Sequence, residues 1–137
     1  MRILIDCDVL LDVGTSRVPH VTDSQRVLDW CECHPGCGFI AWHTVANVYY
    51  MLQKGGKAQA SRQFIHDLLA FVEVVPSGTS AVKHALVLPM ADFEDGLQCA
   101  AAVQAGVDYI VTRNVRDYAA APISAILPGD FLAQAPA

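Results

Sequence analysis

No apolar run in this chain approaches the roughly 18 residues that a membrane-crossing helix needs, so its 137 residues give no reason to expect a membrane protein. No secretory leader is expected either, because Ile3–Ile5 is too short an apolar stretch and Asp6 interrupts it. Positive charge is scarce: nine Lys and Arg stand against fourteen Asp and Glu, for a net charge of −5. That balance argues against a broadly basic, histone-like binder of nucleic acid. It leaves room for an enzyme that reaches phosphate through a bound cation, since clustered carboxylates lower the net charge while the cation restores the attraction. Zinc-type spacing is also absent. Cys31-Glu32-Cys33-His34-Pro35-Gly36-Cys37 offers Cys-x-Cys without a second, distant pair, and the five histidines are scattered. Five cysteines, an odd number without secretory context, point to reduced thiols in a cytoplasm and not to a disulfide frame.

What is present is apolar and ordered. Hydrophobic residues make up 53% of the sequence, and its length predicts one domain over residues 1–137 with a proper core. No linker, repeat or low-complexity segment divides it. Residues 2–6 read as a strand, and VLLDV begins a short helix stopped by Gly14. Thr22 or Asp23 caps a helix running to Cys33, ended by Pro35-Gly36. A second strand spans 38–41, and helical spacing returns over 44–53 and 58–70. Residues 72–75 form a third strand, 80–88 a helix, 93–105 an alanine-rich helix ended by Gly106, 109–112 a fourth strand and 124–127 a fifth; Pro128 opens a last helical turn. Strands alternating with helices predict an α/β class, doubly wound, with a parallel sheet.

The carboxylates have a pattern of their own. Asp6 closes an apolar strand, where a charge is costly to bury unless it is paired or metal-bound. In open α/β sheets the carboxyl ends of the strands border the ligand crevice. Asp8 reads either as a site residue or as the cap of the helix that follows, and Asp12, a turn later, as a solvated surface charge. Asp92 and Asp95 share one face of a helix start, a pattern that also suits an N-cap with an acidic first turn. Asp117 follows the fourth strand, with Asn114 between. Carboxylates converging at one edge repel unless a hard cation such as magnesium or manganese neutralises them.

Four segments, ILIDCDVLLD, TVANVYYML, DFEDGLQCAAAVQAG and DYIVTRNVRDY, resemble in content and order those of the PIN-domain family of metal-dependent nucleases. That family includes the VapC-type toxins of toxin–antitoxin modules, and ILPGDFL resembles its closing strand and helical turn. The resemblance spans almost the whole chain. It implies a three-layer α/β/α fold around a central parallel sheet of about five strands. Asp6 and Asp95 match the family's metal-ligating aspartates. Three positions depart from the pattern: Asp8 stands where Asn is common, Asn47 where a catalytic Glu is usual, and Asn114 where the Asp of Thr-x-Asp is expected. The resemblance therefore points to a subgroup with Asn at the helix position, in which Asp8, Asp92 and Asp117 restore the charge.

The implied chemistry is phosphodiester hydrolysis on RNA. Asp6 and Asp95 would hold Mg2+ or Mn2+, and Asp8, Asp92 or Asp117 would orient or deprotonate the water. Asn47, Thr112 and Asn114 are supporting polar groups, and Arg113 or Arg116 would contact phosphate. An antitoxin protein and a second copy of the chain are the implied partners. The apolar faces around Tyr49-Tyr50-Met51 and Phe64-Ile65-Leu68-Leu69 are the expected dimer surface. Two other readings stay open. One is a non-catalytic PIN-like module that binds RNA or protein. The other is a haloacid-dehalogenase-like phosphatase, whose opening ILIDCDVLLD resembles but whose Thr is replaced by Val9.

Overall fold

The computed structural model describes all residues from Met1 to Ala137. Five short strands, β1 (Ile3–Ile5), β2 (Gly38–Ile40), β3 (Glu73–Val74), β4 (Tyr109–Val111) and β5 (Ser124–Ile126), form one parallel sheet in the order β3-β2-β1-β4-β5. Register follows from pairs such as Leu4 with Phe39 on one side and Leu4 with Ile110 on the other. All three residues of β1 are fully buried because both faces of the sheet are covered.

Period-two alternation decides which layer each strand residue meets. Ile3, Ile5 and Ile40 pack into a cluster with residues of α1 (Cys7–Gly14), α2 (Val21–Cys33), α3 (Trp42–Leu52), α4 (Ala58–Leu68) and α7 (Pro128–Gln134). Leu4, Phe39 and Ile110 pack into another with Cys99, Ala101 and Ala102 of α6 (Phe93–Ala105), which in turn carries α5 (Thr79–Val87). The result is three layers, with helices on both faces of a five-stranded sheet. Each buried Leu or Ile contributes about 1.5–3 kcal/mol, and truncating Leu4 to Ala would cost about 2–5 kcal/mol through the cavity left in the sheet.

Alanines let α6 lie close to the sheet, and Gly96 lets α5 lie close to α6. A Cβ at position 96 would sit 3.2 Å from the Ala85 carbonyl oxygen. Gly106 ends α6 in the left-handed conformation, φ 64°, where a glycine costs least. The predicted elements are all present with ends shifted by a few residues. One difference matters for function: α1 starts at Cys7, and its cap is Asp6 and not Asp8. Another is that Val115–Tyr118, to which the sequence pattern assigns no element, forms a 3-10 turn.

Chain order determines where the crevice opens. From β1 the chain adds β2 and β3 on one side, then crosses over to place β4 on the other. The carboxyl ends of β1 and β4 therefore border the switch point, where open α/β sheets bind ligands.

Candidate active site

Asp6 follows β1 directly, and its N–H still bonds the Val111 carbonyl at 3.0 Å, so the sheet ladder fixes its backbone. Its carboxylate is almost enclosed. Oδ1 accepts from the Cys7 N–H at 2.7 Å and Gln98 Nε2 at 2.9 Å; Oδ2 accepts from Thr112 Oγ1 at 2.8 Å and the Tyr118 hydroxyl at 3.1 Å. These contacts fill the roughly four lone-pair sites of an ionised carboxylate. Hydrogen bonds to a carboxylate are stronger than neutral ones, and none of the groups that hold Asp6 carries positive charge.

Asp8 lies one residue into α1. Its Oδ2 accepts from the Arg113 N–H at 2.9 Å and Asn114 Nδ2 at 3.1 Å, with Thr112 Oγ1 at 3.4 Å. Thr112 has a single hydroxyl proton, and the shorter distance directs it to Asp6. Asp8 Oδ1 is buried and has no partner. Burial first, then the neighbouring Asp6 charge, lifts the Asp8 carboxyl to about 6, against the pull of Arg113.

The start of α6 supplies the other acidic groups. Asp92 is its cap, accepting from the Glu94 N–H at 2.7 Å, as an acidic first turn predicts. Asp95 Oδ1 lies 3.2 Å from the Tyr118 hydroxyl, which links it to Asp6. Burial, then Asp92 and Asp6, lift Asp95 to about 6. The same causes in the same order raise Glu94. Asn47 of α3 donates to Glu94 Oε1 at 2.9 Å. Burial and the two carboxylates it touches push the Tyr118 phenol far upward, so it remains a donor.

Of the residues singled out in the sequence, Asp6, Asp8, Asp95, Thr112 and Asn114 share one hydrogen-bonded array, directly or through Tyr118. Asn47 reaches Glu94 and not Asp6. Asp92 and Asp117 are exposed at the rim; Asp117 makes no side-chain hydrogen bond, and its charge adds to the rise at Asp95.

The sequence reading missed Gln98 and Tyr118 entirely, and Glu94 as more than a helix-start charge. For Gln98 a signal was available: it lies one turn after Asp95, so it shares a face with it. Tyr118 sits on the 3-10 turn that the pattern did not reveal.

Two expectations are corrected. Asp12 is not a solvated charge: it is fully buried and paired with Arg113 Nε at 2.8 Å, with Ser24 Oγ at 3.0 Å and Arg17 at 3.9 Å. Its place on α1 turns it toward α2 and the end of β4, where a charge must have a partner. Arg113 is accordingly engaged with Asp12 and is not a free phosphate contact.

The donor set is all oxygen, rich in carboxylates and mutually repulsive, which suits a hard divalent cation. Two buried oxygens without partners, Asp8 Oδ1 and Gln98 Oε1, are acceptors of the kind such an ion or its water would satisfy. As the side chains stand, no three acidic, His or Cys groups converge on one point. Closing around an ion therefore needs side-chain rotation. The largest cavity, about 520 Å³, lies beside α2 and α7 and meets this array only at Arg113.

The family described as PIN domain matches residues 2–116. Among solved structures, VapBC2 from Rickettsia felis, bound to a DNA fragment from its promoter, aligns with a TM-score of 0.72 at 13% identity, covering 93% of this chain and 98% of that one. A toxin–antitoxin complex from Klebsiella pneumoniae aligns at 0.70 and 20% identity, covering 92% and 97%. VapC20 from Mycobacterium tuberculosis, a Sarcin-Ricin loop cleaving toxin, aligns at 0.63 and 14% identity, covering 79% and 86%. No curated protein matches the sequence.

Proposed function

We propose, from the premise that this chain belongs to the PIN-domain family, that it is an Mg2+- or Mn2+-dependent ribonuclease hydrolysing RNA phosphodiester bonds, and the toxin of a toxin–antitoxin module. The observation that carries the reading is the meeting of Asp6, Asp8 and Asp95 at the switch point of the sheet, beside two buried oxygens without partners. Similar folds crystallised as toxin–antitoxin complexes, and one described as cleaving the Sarcin-Ricin loop, support the choice of RNA and of a protein inhibitor.

In this reading Asp6 and Asp95 hold the cation. When bound, the ion polarises a phosphate oxygen and lowers the pKa of its water. Asp8, lifted to about 6, is mostly ionised at neutral pH yet basic enough to take a proton from the attacking water. The Arg113 N–H and Asn114 Nδ2 keep Asp8 in place, while the Thr112 hydroxyl holds Asp6. Asp92 and Asp117 add negative charge at the rim, consistent with a PIN subgroup that has Asn at the helix position. Residues 1–137 act as one cytoplasmic domain, working as a homodimer.

Incubation with a structured RNA tests the reading. Cleavage is expected with Mg2+ or Mn2+, stops with a chelator, and is lost in Asp6→Asn and Asp95→Asn variants that still fold. RNA binding without cleavage by the parent would support the rival, a binding-only module, which the lack of three converging ligands favours. Turnover of a small phosphomonoester instead would support a phosphatase.

A further inference from the structure

We propose that Glu94 is a cation-holding carboxylate of this site, aimed by Asn47, so that the amide on α3 positions a charge that α6 supplies. The inference rests on the metal-dependent reading above. Glu94 is an exposed side chain, and fixing such a residue costs up to about 2 kcal/mol of rotamer entropy. It is nevertheless held by Asn47 Nδ2 at 2.9 Å, across two helices and 47 positions of sequence. The group that holds it is neutral. None of the protein's ion pairs includes Glu94, so its charge is fixed in place without being compensated.

Its neighbours lack compensation too. Glu94, Asp95 and Gln98 lie at i, i+1 and i+4 on α6, so Glu94 and Gln98 stack on one face a turn apart. Gln98 is 1% exposed and places its Nε2 on Asp6 Oδ1 at 2.9 Å and on Thr44 Oγ1 at 3.2 Å. The amine end of the amide is the end that can donate to a carboxylate, and that contact assigns its orientation. Its Oε1, on the same amide group beside Asp6, is buried and has no donor. A buried acceptor without a donor, next to an anion whose acceptor sites are already filled by neutral groups, is a place that lacks positive charge. A cation seated there needs further anionic oxygen beyond Asp6, and Glu94 is the carboxylate fixed without a partner of its own.

The assignment separates two roles. Asn47 is a positioning residue, with its N–H group committed to Glu94. Glu94 is the ligand.

Mn2+ titration of the full chain, read by the electron paramagnetic resonance of free Mn2+, tests this without any activity measurement. Glu94→Gln keeps an oxygen for Asn47 to donate to and removes only the charge. It is expected to weaken Mn2+ binding by about 10–100-fold, the scale of losses at metal sites, with an unchanged circular dichroism spectrum. The double variant Asn47→Glu with Glu94→Gln, which transposes the carboxylate to α3, is expected to regain most of the loss. Parent-like affinity in Glu94→Gln, or a loss that the transposed carboxylate does not restore, overturns the role of Glu94 while the metal site stands. A parent that binds no Mn2+ overturns both.

Discussion

Tyr118 and Asp6 are held together at 3.1 Å by one hydroxyl, and that same hydroxyl lies 3.2 Å from Asp95. It carries a single proton for two carboxylates, so the second contact is favourable only when Asp95 carries a proton itself. Removing the hydroxyl in Tyr118→Phe leaves two like charges with nothing between them. We expect a loss of about 1–3 kcal/mol in urea unfolding of the metal-free protein, the usual cost of a lost bond to a buried charged group. A cation held by Asp6 and Asp95, as proposed above, would supply positive charge between them. Saturating Mn2+ is therefore expected to stabilise Tyr118→Phe more than the parent, and an equal increment in both would refute the bridge.

Asp8 and Asp95 both stand at about 6 in the fold, above the ordinary 3.8, with burial as the first cause. A raised carboxyl favours the protonated form in the native state. Its stabilising contribution is full below the unfolded value near 4 and is lost as pH rises through about 6. Metal-free parent protein is therefore expected to lose stability relative to Asp8→Asn between pH 4 and pH 7. Denaturant midpoints of the two at several pH values decide it; parallel curves would refute the shift. Mn2+ should bind more weakly below pH 6, where protons compete for the same oxygens.

The buried pair of Arg113 and Asp12 makes a stability prediction away from the chemistry. Arg113→Ala leaves the fully buried Asp12 without its 2.8 Å partner, and is expected to cost about 3–5 kcal/mol. The double change to Asp12→Leu and Arg113→Met removes both charges and is expected to cost much less. Equilibrium unfolding of the two variants checks the order.

Association is the fourth expectation. Of the expected dimer surface, Tyr50, Met51 and Leu69 remain 65%, 46% and 47% exposed, but Leu68 is buried in the core and Phe64 and Ile65 pack against it. Leu86 and Val87 of α5 are exposed as well, at 66% and 78%. Apolar surface of this extent usually marks an interface. Light scattering is expected to give a dimer mass; a monomer at micromolar concentration would refute it.

The fold was legible because its signals are local. The apolar ILI of β1, the alanines of α6 and Gly106 after them each report their own element. Asp6 and Asp95 stood out for the same reason, at a strand end and a helix start. What escaped notice depends on side chains meeting across the sheet. The place of Gln98 one turn after Asp95 gives its face of the helix but not that its amide reaches Asp6, 92 residues away. Asp12 looks like any polar residue on a short helix until Arg113 arrives from 101 residues away. Tyr118 acquires its role only because a 3-10 turn brings it back over the crevice.

That long reach has a consequence for a chain still being synthesised. Asp6 and Asp8 emerge first, but the groups that hold them, Gln98, Thr112, Arg113, Asn114 and Tyr118, all lie in the last third of the sequence. A ribosome-bound fragment ending before α6 carries two N-terminal carboxylates without their donors or Asp95. The array forms only after residues through Tyr118 have been added to the chain. On the proposed ribonuclease reading, a nascent chain would have no hydrolytic activity until these late groups have folded onto Asp6 and Asp8.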